Sequence, residues 1–226
     1  GPRGVGKTSC ARILAKMINA DKITSESDYS FNIFELDAAS NNGVDGIRNL
    51  TDQIRIPPQI GNFKVYIIDE VHMLSSSAFN AFLKTLEEPP RHCVFILATT
   101  EKHKIIPTIL SRCQIYDFKR ISVDDISSYL INISKHEKVK YEENAIQFIA
   151  KKADGSMRDA LQIYDRILSS KNNEVSIANV MESLNILDNQ VYFDLLHLII
   201  NNEIPKLLVL TNSILARGIQ GDILIS

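Results

Sequence analysis

The chain has 226 residues, of which 45% are hydrophobic and 23% are charged, and its formal net charge at pH 7 is −2. This length suits one large domain or two smaller ones, and the near-neutral charge excludes a basic field over the whole chain. The widely spaced Cys10, Cys93 and Cys113 predict buried thiols in a reducing compartment, with no zinc site and no disulfides. Because the sequence has no signal peptide and no apolar run of about 18 residues, we expect a cytoplasmic protein without a membrane partner.

The sequence opens on GPRGVGKT, which matches every position of the phosphate-binding P-loop pattern G-x-x-x-x-G-K-[ST]. Its glycines permit a tight turn whose N–H groups face a polyphosphate, while Lys7 would reach the β- and γ-phosphates and Thr8 would contact Mg²⁺. A helix is predicted over residues 9–18, with Ala11, Leu14, Ala15 and Ile18 facing inward. The residues predicted to bind ATP are Gly1, Pro2, Arg3, Gly4, Val5, Gly6, Lys7, Thr8 and Ser9.

Strands and helices are predicted to alternate over the next hundred or so residues. The continuous apolar run before Asp69 is typical of a buried parallel strand. Strands are predicted at residues 32–37, 64–69, 94–98 and 114–118, and helices at 44–54, 75–87 and 105–110. This alternation predicts an α/β fold with a parallel sheet.

Helical periodicity replaces the alternation after Arg120. Helices are predicted at residues 124–137, 143–153, 157–168, 177–184, 188–201 and 205–217, with Gly218 as the last C-terminal cap and no intervening strand. We therefore expect an ATPase domain at residues 1–120, a small helical domain at 121–184 and the start of a further helical element at 185–226.

Two acidic residues, Asp69 and Glu70, end the predicted central strand. An ATPase needs a carboxylate that holds Mg²⁺ and a base that orients water, both at the carboxyl end of a strand. We predict these roles for Asp69 and Glu70, against the alternative that the two acids merely end a strand. A hydroxyl of Thr99 or Thr100 at the next strand end could hold the attacking water or sense the γ-phosphate, but threonine there also fits simple β-propensity.

Other polar residues have no pattern that assigns them a role. Arg112 and Arg158 are either functional or ordinary surface arginines, and the loose basic group around Lys102 and Lys119 fits a solvated surface. The histidines have no metal-ligand spacing, so a structural interpretation is favoured for His72, His92, His103, His136 and His197.

Seven segments together closely resemble the gamma/tau subunits of bacterial DNA polymerase III, the AAA+ motors of the sliding-clamp loader. These segments are the P-loop and residues 37–42 (DAASNN), 67–74 (IIDEVHML), 83–90 (LKTLEEPP), 97–100 (LATT), 111–113 (SRC) and 155–161 (GSMRDAL). The resemblance covers the whole chain. It implies an AAA+ ATPase domain, a helical lid domain and the start of a helical collar domain.

The resemblance also implies roles for single residues. Thr100 matches sensor 1, Arg112 matches the arginine finger inserted into a neighbouring subunit's ATP site, and Arg158 matches sensor 2 on the lid. Lys7, Thr8, Asp69 and Glu70 match the Walker residues in the roles already given. The implied partners are delta and delta-prime subunits, copies of the chain itself, the sliding clamp and primer–template DNA, for which Arg48 is a candidate phosphate contact.

The sequence departs from the family in two places. It lacks the first strand before the P-loop, which suggests a fragment of a longer protein, and residues 20–30 hold no cysteine where many relatives carry a four-cysteine zinc module. The alternatives to a clamp-loader ATPase are a Holliday-junction or helicase-type AAA+ motor, a non-hydrolysing scaffold resembling delta-prime, and a P-loop kinase of small molecules. The kinase leaves Arg112, Arg158 and the helical domain unexplained.

Overall fold

A computed structural model describes residues 1–23, 26–170, 174–184 and 189–216. The chain forms two compact units, Gly1–Arg120 and Ile121–Ser226, each with its own hydrophobic core. The first unit alternates strands with helices, and the second is mainly helical. The predicted three-domain division stays a prediction, because residues 185–188 at its second boundary lie outside the described residues.

Three parallel strands form the sheet of the first unit, in the order β1 (Ile33–Asp37), β2 (Lys64–Asp69) and β3 (Cys93–Leu97). Asp37 pairs in register with Asp69, and the Ala98 N–H donates a 2.9 Å hydrogen bond to the Ile68 carbonyl just beyond β3. The carboxyl ends of all three strands therefore meet at one edge. This confirms the predicted parallel α/β fold.

Helices cover both faces of this sheet. They are α1 (Lys7–Asn19), α2 (Val44–Ile54), α3 (Ser76–Glu87) and the short α4 (Pro107–Leu110), with 3-10 turns at Glu26–Phe31, Val71–Met73 and Lys102–Lys104. Val65 and Ile67 of β2 pack on α1, whereas Tyr66 and Ile68 belong to a larger core with α2 and α3. Since β2 is buried on both faces, its sequence is apolar throughout rather than alternating.

Helix α1 confirms the predicted helix but has a different inward face. Ala11 and Ala15 are buried as predicted, whereas Leu14 is 47% exposed and Ile18 is half-buried. Asn19, a polar residue outside the predicted apolar stripe, is fully buried instead. The burial of α1 is thus set partly by hydrogen bonds at its carboxyl end.

Asn19 belongs to an amide cluster at the amino ends of β1 and β2, formed by Asn19, Asn32 and the backbone of Ile60, Asn62 and Phe63. The Asn19 side chain accepts from the N–H groups of Asn62 (3.1 Å) and Phe63 (3.0 Å) and donates to the Phe63 carbonyl (2.9 Å). Asn32 donates to the carbonyls of Ile60 (2.6 Å) and Phe63 (2.9 Å). The amide cluster therefore fixes the loop that enters β2.

The strand predicted at residues 114–118 is wrong, because this segment has no strand assignment among the described residues. The Gly1 amino group donates to the Thr99 carbonyl after β3 (3.3 Å), and a Cβ on Gly1 would lie 2.6 Å from the Phe118 carbonyl. Gly1 thus lies between the end of β3 and the end of this segment. An extended segment becomes a strand only when it pairs with a neighbouring strand, and here Gly1 rather than a strand lies beside Phe118.

The second unit packs helices α5 (Val123–His136), α6 (Glu143–Lys152), α7 (Met157–Ser170) and α8 (Ile177–Ser183) around one core. The expectation of a purely helical segment is wrong in one detail. Two-residue strands β4 (Lys140–Tyr141) and β5 (Glu174–Val175) pair in parallel between the helices. Strands this short leave no periodic signal in a sequence.

Helices α9 (Asn189–Ile200) and α10 (Ile204–Ala216) follow and pack against each other. They expose many large apolar side chains, namely Phe193, Leu196, Ile199, Ile200, Ile204, Leu208 and Val209. The predicted cap Gly218 lies outside the described residues. In the part of the chain that the structure describes, no helix is long and apolar enough to cross a membrane.

Candidate active site

The P-loop leads into α1 at the carboxyl edge of the sheet. Gly4 (φ 73°) and Gly6 (φ 88°) have left-handed backbones, which glycine adopts without a steric penalty. Gly6 is the N-cap of α1, no side chain caps this helix, and a Cβ on Gly6 would meet no atom within 4 Å. The first-turn N–H groups and the positive end of the helix dipole can therefore receive an anion.

Lys7 lies over the start of the P-loop. Its ammonium group donates to the carbonyl oxygens of Gly1 (3.0 Å) and Pro2 (2.5 Å). Burial lowers the pKa of Lys7 below its usual value, and the nearby carboxylates of Glu70 and Asp69 offset part of that effect. Phosphate oxygens would be stronger acceptors for this cation than the two carbonyls.

Thr8 and Asp69 join the P-loop to the end of β2. The Thr8 hydroxyl donates a 2.6 Å hydrogen bond to Asp69 Oδ2, and Asp69 Oδ1 accepts from the Glu70 N–H at 3.0 Å. Adjacent oxygen ligands of an octahedral Mg²⁺ are about 3 Å apart, since each lies about 2.0–2.1 Å from the ion. The hydroxyl and carboxylate oxygens therefore fit a magnesium site by type and by spacing.

Glu70 begins the turn after β2 with a left-handed backbone (φ 47°, ψ 44°). Such a conformation costs a non-glycine residue about 1–2 kcal/mol. Its Oε2 accepts hydrogen bonds from the Thr100 N–H (3.1 Å) and the Thr100 hydroxyl (2.9 Å). The turn is also tied to β3 by the Val71 N–H, which donates to the Ala98 carbonyl at 3.0 Å. The contacts thus hold a strained residue in place at the candidate site.

His72 is a member of this group that the sequence interpretation missed. Only 6% of its side chain is exposed, and Nδ1 lies 2.9 Å from the Thr99 hydroxyl and 3.3 Å from Glu70 Oε2. The Thr99 hydroxyl also accepts from the Glu101 N–H at 3.0 Å. The position of His72 two residues after Glu70 was the available signal, but spacing alone does not show that the ring turns back toward the carboxylate.

The three predicted arginines are exposed, unlike the partly buried residues described above. Arg112 is exposed after α4, where Nη1 donates to the Thr108 carbonyl (2.9 Å) and Nη2 lies 3.8 Å from Glu87 Oε1. Arg158 is exposed in the first turn of α7, in the second unit, and Arg48 is exposed on α2. The roles assigned to all three stay predictions.

Among the described residues, no group of three or more His, Cys, Asp or Glu side chains could hold a metal ion on its own.

Comparisons with known proteins place the chain in a family. The family model described as "DNA polymerase III, delta subunit" matches residues 1–122, and the one described as "DNA polymerase III clamp loader subunit, ATPase lid domain" matches residues 125–170. The chain belongs to the clamp-loader subunits of DNA polymerase III. Relatives named tau and gamma narrow this to the gamma/tau family, as the sequence predicted.

Three gamma/tau relatives show how much of the length of such a subunit this chain covers. DNA polymerase III subunit tau of Bacillus subtilis (strain 168) is 47% identical over 194 residues, which are 80% of this chain and 34% of that protein. Subunit tau of Escherichia coli (strain K12) is 41% identical over 238 residues, which cover 100% of this chain and 37% of that protein. Subunit gamma of Buchnera aphidicola subsp. Schizaphis graminum is 40% identical over 233 residues, which cover 97% of this chain and 64% of that protein. The chain thus spans between about a third and two thirds of these gamma/tau relatives.

Solved structures support the fold of this gamma/tau chain. The "Thermotoga maritima RuvB Holliday junction branch migration motor" has a TM-score of 0.63 and 22% identity, with 88% of this chain and 66% of that one covered. A K64R mutant of the same motor gives a TM-score of 0.63 at 21% identity. The likeness supports the predicted α/β fold with a parallel sheet.

Proposed function

We propose that this chain is the ATP-hydrolysing part of a clamp-loader motor subunit of DNA polymerase III. The observation that carries the proposal is the 2.6 Å hydrogen bond from Thr8 to Asp69, because it joins the P-loop to the carboxylate that we propose as the magnesium ligand. Glu70 and Thr100 lie hydrogen-bonded beside this pair. Membership of the gamma/tau family supports the same activity.

Each residue has a chemical task in this proposal. Lys7 and the uncapped start of α1 bind the phosphates, while Thr8 and Asp69 hold Mg²⁺. When bound, MgATP supplies the phosphoryl group that is transferred to water. Glu70 accepts a proton from the attacking water at a carboxylate oxygen, and Thr100 orients that water or contacts the γ-phosphate.

The proposal extends to assembly. Arg112 would complete the ATP site of a neighbouring copy or of a delta-type subunit, and its exposed position is compatible with reaching outward. Arg158 would act as sensor 2 from a lid at residues 121–184. The exposed apolar side chains of α9 and α10 suit a collar at residues 185–226, through which the subunits assemble. The proposed clients are the sliding clamp and primer–template DNA, with Arg48 as a phosphate contact, in the bacterial cytoplasm.

The test is the steady-state ATPase rate of the full-length protein with its delta and delta-prime partners, measured with and without clamp and primed DNA. We expect stimulation by clamp and DNA together. The variant Arg112→Ala should abolish the stimulation while nucleotide binding to its own P-loop stays intact, and Lys7→Ala should abolish binding. A rate indifferent to the clamp and to Arg112→Ala would remove the clamp-loader proposal.

The same experiment separates the rival functions. The structural likeness to a branch-migration motor favours one alternative, a DNA motor of another kind, and this motor would respond to branched DNA without any clamp. If the chain were a non-hydrolysing scaffold, the wild type and Lys7→Ala would bind the same amount of nucleotide. The Thr8–Asp69 and Glu70–Thr100 contacts argue against the scaffold, because a scaffold has no need of an ordered hydrolytic group.

A further inference from the structure

We infer that His72 is a positioning residue that sets the Glu70 carboxylate for proton transfer. The inference rests on the proposed ATPase function and extends it to a side chain that neither touches the phosphates nor binds the metal. Its basis is the contact of His72 Nδ1 with Glu70 Oε2 and with the Thr99 hydroxyl, at 3.3 Å and 2.9 Å.

The contact with Glu70 determines which ring nitrogen carries hydrogen. An ionised carboxylate only accepts hydrogen bonds, so a lone pair on Nδ1 facing Oε2 at 3.3 Å would be repelled. Nδ1 is therefore the N–H nitrogen: its hydrogen is donated to the Thr99 hydroxyl, and the N–H group lies 3.3 Å from Glu70 Oε2. The tautomer is assigned from these contacts.

The donors divide the two oxygens of Glu70 into different roles. Oε2 accepts hydrogen bonds from the N–H and hydroxyl of Thr100, and the His72 N–H lies beside it at 3.3 Å. Oε1 receives no hydrogen bond from the residues that the structure describes. A carboxylate fixed through one oxygen presents the lone pairs of the other, and these can take the proton of a water.

The His72 N–H is the polar group that can stay beside Glu70 when Thr100 changes partner. A threonine hydroxyl has a single hydrogen, and the proposed contact of Thr100 with the attacking water or the γ-phosphate would take that hydrogen away from Glu70. The buried ring of His72 is held in the Val71–Met73 turn, which is tied to β3 through the Val71 N–H. The ring therefore anchors Glu70 from an element other than β3.

The test compares His72→Phe with His72→Asn in the full-length protein and its partners. Phenylalanine keeps a ring without a donor, whereas the asparagine amide nitrogen lies at about the position of Nδ1. We expect His72→Phe to lower kcat for ATP about tenfold or more, with Kd for a fluorescent ATP analogue within about twofold of the wild type. His72→Asn should recover most of kcat, and the matched substitution His136→Phe, at an exposed histidine of the second unit, should change neither quantity.

A double variant tests whether the effect passes through Glu70. In the Glu70→Gln background, His72→Phe should cause no further fall in kcat. The inference is overturned if His72→Phe keeps the wild-type kcat, if binding and melting temperature fall along with kcat, if His72→Asn is as impaired as His72→Phe, or if the two effects add. A wild-type protein that hydrolyses no ATP would instead overturn the proposed function itself, and the inference with it.

Discussion

The two ends of the same sheet use buried polar groups in opposite ways. At the amino ends of β1 and β2, the amide cluster directs Asn19 and Asn32 almost wholly to backbone groups of one loop. At the carboxyl ends, Thr8, Asp69 and Glu70 direct their hydrogen bonds largely to other side chains and stay partly accessible. Side chains that satisfy a buried backbone can do little else, whereas hydroxyl and carboxylate pairs can exchange one partner for a ligand.

The first prediction, with the largest effect, concerns the carboxyl end. Glu70→Gln keeps an oxygen that can accept from Thr100 but removes the proposed base, so we expect kcat for ATP to fall by about 10²–10⁴-fold. The free energy of unfolding should change little. Stopped-flow phosphate release and urea denaturation of the same preparation measure the two quantities. A loss of stability as large as that of an amide-cluster variant would abolish the contrast between the two ends.

The second prediction concerns the amino end and has the reverse profile. Asn19→Ala leaves the buried N–H groups of Asn62 and Phe63 without their acceptor, so we expect the free energy of unfolding of the first unit to fall by about 2–4 kcal/mol. The kcat per folded molecule should stay within about twofold of the wild type, as judged below the melting transition.

The matched control for this variant is Asn41→Ala. Asn41 is exposed, and its amide donates to the Asp37 carbonyl at 3.2 Å. We expect a loss below about 0.5 kcal/mol, since surface substitutions have effects of this size. Equal losses for Asn19→Ala and Asn41→Ala in urea denaturation would show that burial does not decide the cost.

The third and smallest prediction tests where the chemistry of the carboxyl end stops. Asp37 pairs in register with Asp69, but its carboxylate accepts from the Ser40 hydroxyl (2.8 Å) and the Ala39 N–H (2.9 Å) in a local turn. The Ser40 hydrogen bond, followed by that of Ala39, lowers the pKa of Asp37 below its usual value of 3.8. Since the folded pKa is the lower one, the stabilisation is complete above the unfolded pKa and is lost as pH falls through the folded pKa.

Ser40→Ala should therefore cost at most about 0.5 kcal/mol at neutral pH, because the group is exposed to water. The difference from the wild type should stay constant between about pH 5 and 8 and shrink below about pH 4. Urea denaturation across this range measures it, and ATPase activity should not change. A difference that grows on acidification would contradict the assignment of the pKa shift to Ser40.

Local patterns predicted most of the fold of the first unit. The apolar run of β2, the periodic helices and the motif order were sufficient for the parallel sheet and for the residues Lys7, Thr8, Asp69 and Glu70 that the structure brings together. Where the fold depends on distant partners, the predictions were wrong. Leu14 lies outside the buried face of α1, whose end is fixed by Asn19 through a loop 43 or 44 residues away, and residues 114–118 have Gly1 rather than a strand beside Phe118.

In the candidate site, too, residues within one short motif were predicted, whereas contacts between distant segments were not. Glycines, lysine and threonine in one loop have a recognisable spacing, and so do two acids at a strand end. The role of His72 depends on how the end of β3 lies beside the turn after β2, and a single histidine in a sequence contains nothing about that arrangement. The roles of Arg112 and Arg158 depend on neighbours beyond their own unit, so they stay predictions.

The left-handed backbone of Glu70 sets its proposed catalytic role against thermostability at this one position. Glycine or asparagine would adopt φ 47° at lower cost, so Glu70→Gly should relieve part of the strain. A laboratory selection for heat resistance alone would thus favour loss of the carboxylate proposed for hydrolysis. Glutamate would be kept at this position only in cells whose growth requires ATP hydrolysis by this protein.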